Sequence, residues 1–214
     1  MGAPRITKFG HACVRIEYAG TTLVIDPGGW TDPEAVDGAD AVLITHEHGD
    51  HADPANLRRS GGPILTIAAV ADHLVQQAPE LAERLRVVQP GERLDLGLPV
   101  EVVGELHAVI HPEFPRVHNS GYLVTAGERT IFHPGDALTI PDARVDLLCV
   151  PVSAPWLKAS EAIDFARAVG APHNLAIHDR VYSAAGLGII DQHMARFLPA
   201  AGQEFTRLAD GADL

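Results

Sequence analysis

The stretch Ala41-Val-Leu-Ile-Thr-His46-Glu-His48-Gly-Asp50-His51 constrains this chain more than any other. An apolar run with the pattern of a buried strand ends abruptly in three histidines and two acids within six residues. Imidazoles and carboxylates crowded against a core are costly unless they are paired or bind a metal. His46 and His48, two apart at a strand end, project on one side and suit one ion. Gly49 lets the chain turn, so that Asp50 and His51 face a neighbouring ion. Imidazole with carboxylate suits zinc, and also manganese or iron. A polar loop with incidental histidines is the plainer alternative.

The flanking segments supply a frame. Cys13-Val-Arg-Ile-Glu-Tyr18 alternates apolar and polar, the period of a half-buried strand, and Ala19-Gly20-Thr21 turns it back into the continuous apolar run Thr22–Ile25. Strand-like runs recur at 41–44, 64–67, 86–88, 100–103, 122–124, 130–132, 146–150 and 175–177. Helical spacing marks 69–77, a segment capped by Ser160 with Ile163, Ala166 and Val169 on its apolar face, and a last helix using Ile190, Met194 and Phe197. Asp53-Pro54 reads as the cap and first residue of a further helix. Thr22-Leu-Val-Ile-Asp-Pro-Gly is faintly echoed by Thr130-Ile-Phe-His-Pro-Gly-Asp. The expectation is one domain over residues 1–214, with two β-rich halves and helices outside.

Bulk properties narrow the function. The net charge of −12 repels phosphate backbones and anionic lipid, so nucleic acid and membrane are not expected as partners. A pocket holding two divalent cations can still attract a small anionic substrate. No signal peptide or run long enough to cross a bilayer is seen. The two cysteines, Cys13 and Cys149, sit in apolar segments and read as buried thiols, which points to a cytoplasmic setting.

With four residues at the spacing His-x-His-x-Asp-His, the chain resembles the metallo-β-lactamase superfamily. Asp136, in Phe132-His-Pro-Gly-Asp, matches the carboxylate that bridges two metals in that superfamily, and His178, in Leu175-Ala-Ile-His, matches its late histidine. The resemblance implies an α/β fold, an αββα sandwich of two mixed β-sheets with helices on the outer faces and metals at one edge. Gly-His-Ala near the start and Ile-Asp-Pro-Gly soon after look most like the branch containing ascorbate-6-phosphate lactonase. The remaining histidine ligand is His107, His111 or His118. His107 is preferred because the other ligands also lie at or soon after the ends of apolar strands, and it follows 100–106 directly.

The implied site has His46, His48 and His107 on one ion, Asp50, His51 and His178 on the other, and Asp136 between them. Two divalent ions, zinc before manganese or iron, would share a hydroxide that attacks a small ester, lactone or phosphodiester. Asp50 would also orient that hydroxide or relay its proton. The resemblance makes Asp26 an acid that orients a ligating histidine and places His11 near the site, with a turn cap and a structural histidine as their plainer readings. Trp156 and Lys158 follow a strand end, where loops line substrate sites; core packing and a solvated charge are the alternatives. An iron-dependent oxidoreductase and a non-catalytic metal-binding protein are the competing functions.

Overall fold

The computed structural model describes residues 2–214. The first half supplies β1 (Arg5–Lys8), β2 (Val14–Tyr18), β3 (Thr21–Ile25), β4 (Ala41–Ile44), β5 (Ile64–Thr66) and β6 (Leu85–Val87). The second supplies β7 (Arg93–Asp95), β8 (Pro99–Val103), β9 (Gly121–Ala126), β10 (Arg129–His133), β11 (Leu147–Pro151), β12 (His173–Ile177) and β13 (Glu204–Thr206). A closing strand, β14 (Ala212–Asp213), returns to pair with β1. Two seven-stranded sheets result among the described residues, ordered β14-β1-β2-β3-β4-β5-β6 and β13-β12-β11-β10-β9-β8-β7.

Both halves are wound alike. Strands β1 to β3 are antiparallel and β3 to β6 parallel, just as β7 to β10 are antiparallel and β10 to β13 parallel. The two switch strands, β3 and β10, carry the echoed Thr22 and Thr130 segments, and each leads into a loop bearing a site acid, Asp26 or Asp136. In open α/β sheets this is where ligands gather, beyond the carboxyl ends of parallel strands.

Alternation sorts the side chains into layers. In β4, Ala41 and Leu43 enter the core between the sheets, while Val42 and Ile44 meet the helices outside. In β11, Leu147 and Cys149 face the inter-sheet core, and Leu148 and Val150 the opposite helices. Burial on both faces is why these strands are uninterrupted apolar runs. Helices α1 (Pro54–Arg59) and α2 (Ala68–Gln77) cover the first sheet through Leu57, Val70 and Leu74. Helices α3 (Ala159–Val169) and α4 (Ala184–Phe197) cover the second through Phe165, Ala166, Ile190 and Met194. The layers are therefore αββα. Tyr122, fully buried on β9, crosses the sandwich to donate its hydroxyl hydrogen to the Ile44 carbonyl at 2.9 Å, pinning the strand end that precedes the histidine cluster.

Local expectations shift in three places. Helix α3 is capped at Lys158, not Ser160, because the Glu161 carboxylate accepts from the Lys158 backbone N–H at 2.9 Å. The strand before His107 stops at Val103, where Gly104 takes a φ of +81°, so three further residues separate strand and histidine. Phe197 lies on the rim of its helix, 37% exposed beneath the guanidinium groups of Arg167 and Arg196. Asp53 caps α1 as expected, accepting from Ala55 N–H with Pro54 at the first helical position.

Candidate metal centre

Loops at one edge of the sandwich bring together the seven candidate ligands. Ligand atoms of His46, His48, His107 and Asp136 lie within 4.8 Å of one another, and so do those of His11, Asp50, His51 and His178. His46 Nε2 stands 3.0 Å from His48 Nδ1, His51 Nε2 3.1 Å from Asp136 Oδ1, and His178 Nε2 3.1 Å from Asp136 Oδ2. His107 Nε2 is 3.4 Å from Asp136 Oδ2. Two nitrogens on one tetrahedral zinc lie ~3.3 Å apart, given Zn–N bonds of about 2.0–2.1 Å. The spacings match the edges of a metal polyhedron.

The outer ring nitrogens fix the tautomers. His178 Nδ1 donates to the Ser153 carbonyl, and His107 Nδ1 to the Ala108 carbonyl at 2.6 Å. His51 Nδ1 donates to Asp26 Oδ2 at 2.8 Å. The Thr45 hydroxyl gives its hydrogen to Asp26 Oδ2 at 2.7 Å, so its oxygen accepts from His46 Nδ1 at 3.0 Å. All four Nε2 atoms thereby point inward, the orientation that metal-ligating histidines require. His51 Nε2, His107 Nε2, His178 Nε2 and Asp136 Oδ1 are buried without a hydrogen-bond partner. Orphaned buried polar atoms cost about 1–3 kcal/mol each. Four such atoms converging on the same space fit a bound cation pair.

Charge follows the same design. Burial works to lower the His51 pKa, but Asp136 and Asp26 outweigh it and raise it well above the ordinary imidazole value. Burial lowers the His46 pKa, with the neighbouring His51 charge in the same direction, and burial likewise lowers that of His48. For Asp136, burial pushes the pKa up, yet the neighbouring His51, His107 and His178 hold it well below the carboxylate range.

The remaining candidates divide. Asp26 is fully buried and accepts from Thr45 N, Thr45 Oγ1 and His51 Nδ1. His11 is also fully buried; its Nδ1 accepts from the Arg180 N–H, and its Nε2 donates to Asp50 Oδ2 at 3.1 Å. Burial lowers the His11 pKa to about 4, so the ring is a neutral donor at pH 7. Trp156 stands edge-on to His107 and His178 and donates from Nε1 to Asp136 Oδ2 at 3.0 Å, with part of its ring packed on the helix-facing core. Lys158 lies outside the cluster, 79% exposed and 3.3 Å from Glu161 Oε1. His111 is exposed beside Phe114, and His118 lines a separate surface cavity with Glu105 and Ser120. Neither reaches the ligand groups.

Several supporting residues carry no motif. Asn119 donates to the Pro134 carbonyl and accepts from Asp136 N–H, clamping the acid's loop. Arg116 donates from Nε and Nη2 to the His107 carbonyl. Gly28 lets the Ile-Asp-Pro-Gly turn touch the Asp50 backbone, since a Cβ there would fall 1.8 Å from the Asp50 carbonyl oxygen. His11, Asp26 and His178 hold φ values of +47°, +52° and +55°. Such left-handed backbone in non-glycine residues concentrates at functional sites. Of Asn119, Arg116 and Gly28, only the glycine of the turn left a trace in the sequence.

An αββα sandwich with histidines and carboxylates gathered at one edge defines the metallo-β-lactamase class of protein. Residues 5–178 match the beta-lactamase superfamily domain, and the chain belongs to that family. It is similar to Protein Rv0786c of Mycobacterium tuberculosis, 41% identical over 192 residues that cover 86% of this chain and 88% of the relative. A UPF0173 metal-dependent hydrolase of Shouchella clausii is 26% identical over 199 residues, covering 81% and 85% of the two chains. Among solved structures, the diiron β-hydroxylase CmlA of Streptomyces venezuelae superposes with a TM-score of 0.77 at 17% identity, covering all of this chain and 54% of its own. Among the described residues, no helix is long and apolar enough to cross a membrane.

Proposed function

We propose that the chain is a dinuclear metal-dependent hydrolase acting on a small ester, lactone or phosphodiester. The observation that carries this reading is the convergence of four buried, unpartnered ligand atoms from His51, His107, His178 and Asp136. His46 Nε2, His48 Nδ1 and His107 Nε2 would hold one ion, Asp50, His51 Nε2 and His178 Nε2 the other, with Asp136 shared. A divalent ion pair held there would supply Lewis acidity, lowering the pKa of a bound water and polarising the bond under attack.

The protein's own part is positioning and proton handling. Burial works to raise the Asp50 pKa, but the bond from His11 and the charge of His51 hold it below the ordinary carboxylate value, leaving an ionised carboxylate able to face a cation. His11 Nε2–H aims that carboxylate, and Trp156 Nε1–H does the same for Asp136. Neither cysteine supplies a nucleophile: both are buried and free, and burial pushes the Cys149 thiol up to about 12. Two unpaired buried thiols also support a cytoplasmic setting.

Relatives named metal-dependent hydrolases support the reaction class, and the short Gly-His-Ala and Ile-Asp-Pro-Gly segments favour the lactonase-like branch within it. Elemental analysis of protein purified without chelator or affinity nickel tests the centre, followed by an ester, lactone and phosphodiester screen after remetallation. About two equivalents of zinc or manganese per chain are expected, with both lost, along with turnover, in Asp136→Ala. Full metal occupancy and near-normal turnover in that variant would remove the bridging role. Iron together with oxygen-dependent turnover would favour an oxidoreductase, the activity named for the CmlA fold neighbour.

A further inference from the structure

Large apolar side chains left in solvent are concentrated on the loops that carry the candidate ligands. Phe114 is 62% exposed and Ile110 40%, both on the His107 loop, where they line one small cavity with His107 itself. Trp30, 45% exposed on the loop after Asp26, stands edge-on to His11 with ring centroids 4.7 Å apart. Tyr182, 36% exposed and four residues beyond His178, donates its hydroxyl hydrogen to the Leu157 carbonyl next to Trp156. Apolar surface therefore flanks both ligand groups. Exposed apolar patches of this kind mark binding sites.

Most of the polar reach of the basic side chains on these loops is already engaged within the protein. Lys158 faces Glu161, Arg180 is paired with Asp210, and Arg116 donates to the His107 carbonyl.

Resting on the hydrolase reading above, we infer that the substrate is an ester or lactone whose apolar acyl group is held beside the candidate ligand groups by Trp30, Ile110, Phe114, Trp156 and Tyr182. In the reaction, the oxygen of water adds to the acyl carbon. The bond from that carbon to the leaving oxygen breaks with its electron pair, and one proton of the water passes to the leaving oxygen. The products are a carboxylic acid and an alcohol, or a hydroxy acid from a lactone.

The test uses zinc-loaded protein with p-nitrophenyl acetate, p-nitrophenyl octanoate and bis(p-nitrophenyl) phosphate, and octanamide as an unreactive ligand. Both tryptophans of the chain, Trp30 and Trp156, lie at the site, so their fluorescence reports octanamide binding without turnover. Burying even a few methylenes predicts kcat/KM for octanoate about 30-fold above that for acetate. Phe114→Ser should cut that ratio and weaken octanamide each by about 10-fold. Val75→Ser, exposed on α2, should alter neither.

Ester turnover with a flat chain-length ratio, preference for the phosphodiester, or silent fluorescence would overturn the inference and leave the hydrolase reading standing. Absence of turnover on every probe by fully metallated protein would overturn both. A dimer that dissociates on Phe114→Ser would assign the apolar rim to a second copy of the chain and overturn the substrate assignment.

Discussion

Replacing Asp26 by Asn isolates what a carboxylate contributes at the base of the site. Asp26 accepts three buried hydrogen bonds, from Thr45 N at 2.8 Å, Thr45 Oγ1 at 2.7 Å and His51 Nδ1 at 2.8 Å. Asn tolerates the left-handed φ of +52° at this position about as well as Asp, whereas Ala would add backbone strain of its own. The Asn side chain, however, has one accepting oxygen and an amide group that turns donors toward donors. Leaving one or two buried donors unsatisfied costs roughly 2–4 kcal/mol. For a chain of this size, that lowers the melting temperature by about 5–15 °C.

Metal binding should suffer separately. Without its acceptor, His51 Nδ1–H no longer fixes the ring with Nε2 inward, and loss of such an outer partner weakens metal affinity by about 10–100-fold. Thermal melts followed by circular dichroism read the first effect in metal-free protein. Chelator competition at a temperature where the variant is folded reads the second. A melting temperature within about 1 °C and a metal affinity within about twofold of the wild type would refute the argument that Asp26 fixes the His51 tautomer.

Three further outcomes are expected. His107→Ala should lose one metal equivalent while His111→Ala keeps both, by elemental analysis; the reverse pattern would reassign the ligand. Tyr122→Phe removes one bond to the Ile44 carbonyl, which keeps its bond from Thr66 Oγ1, and should destabilise the protein by about 0.5–1.5 kcal/mol in urea melts, without altering metal content. Metal binding should release about one proton near pH 7, read by calorimetry in two buffers of different ionisation enthalpy. The sign follows from His51, whose raised pKa makes it an imidazolium between Asp26 and Asp136 until an ion displaces the proton. Its contribution to metal-free stability is complete below about pH 6.5 and is lost as the pH rises through the folded value. Metal affinity accordingly weakens as the pH falls, and binding without proton release would contradict the pairing.

Much of the frame was legible because β4, β11 and β12 are buried on both faces and read as unbroken apolar runs. The strands that escaped notice are short and lie at or near sheet edges. Arg93-Leu-Asp95 buries only its leucine, and Ala212-Asp213 forms a strand solely because it meets Thr7 and Lys8 at the far end of the chain. The wrong cap on α3 has a similar origin. Ser160 has the better capping side chain, but Glu161 reaching back to Lys158 N–H starts the helix two residues earlier.

The site divides by the same physics. Candidate ligands that share a strand end, such as His46, His48, Asp50 and His51, must be close in sequence, so their spacing exposes them. What makes them ready for a cation comes largely from elsewhere. His178 is oriented by the carbonyl of Ser153 and His107 by that of Ala108. A backbone carbonyl is available at any residue type, so no side-chain pattern announces the contact. Asn119 acts on Asp136 across seventeen positions, through a loop whose path only the folded chain defines. Sequence thus exposes the atoms that would bind metal, whereas the hydrogen bonds that set their protonation belong to the fold. That is why Asp26→Asn is the more searching test: it leaves every candidate ligand in place and alters only the bonds that prepare them.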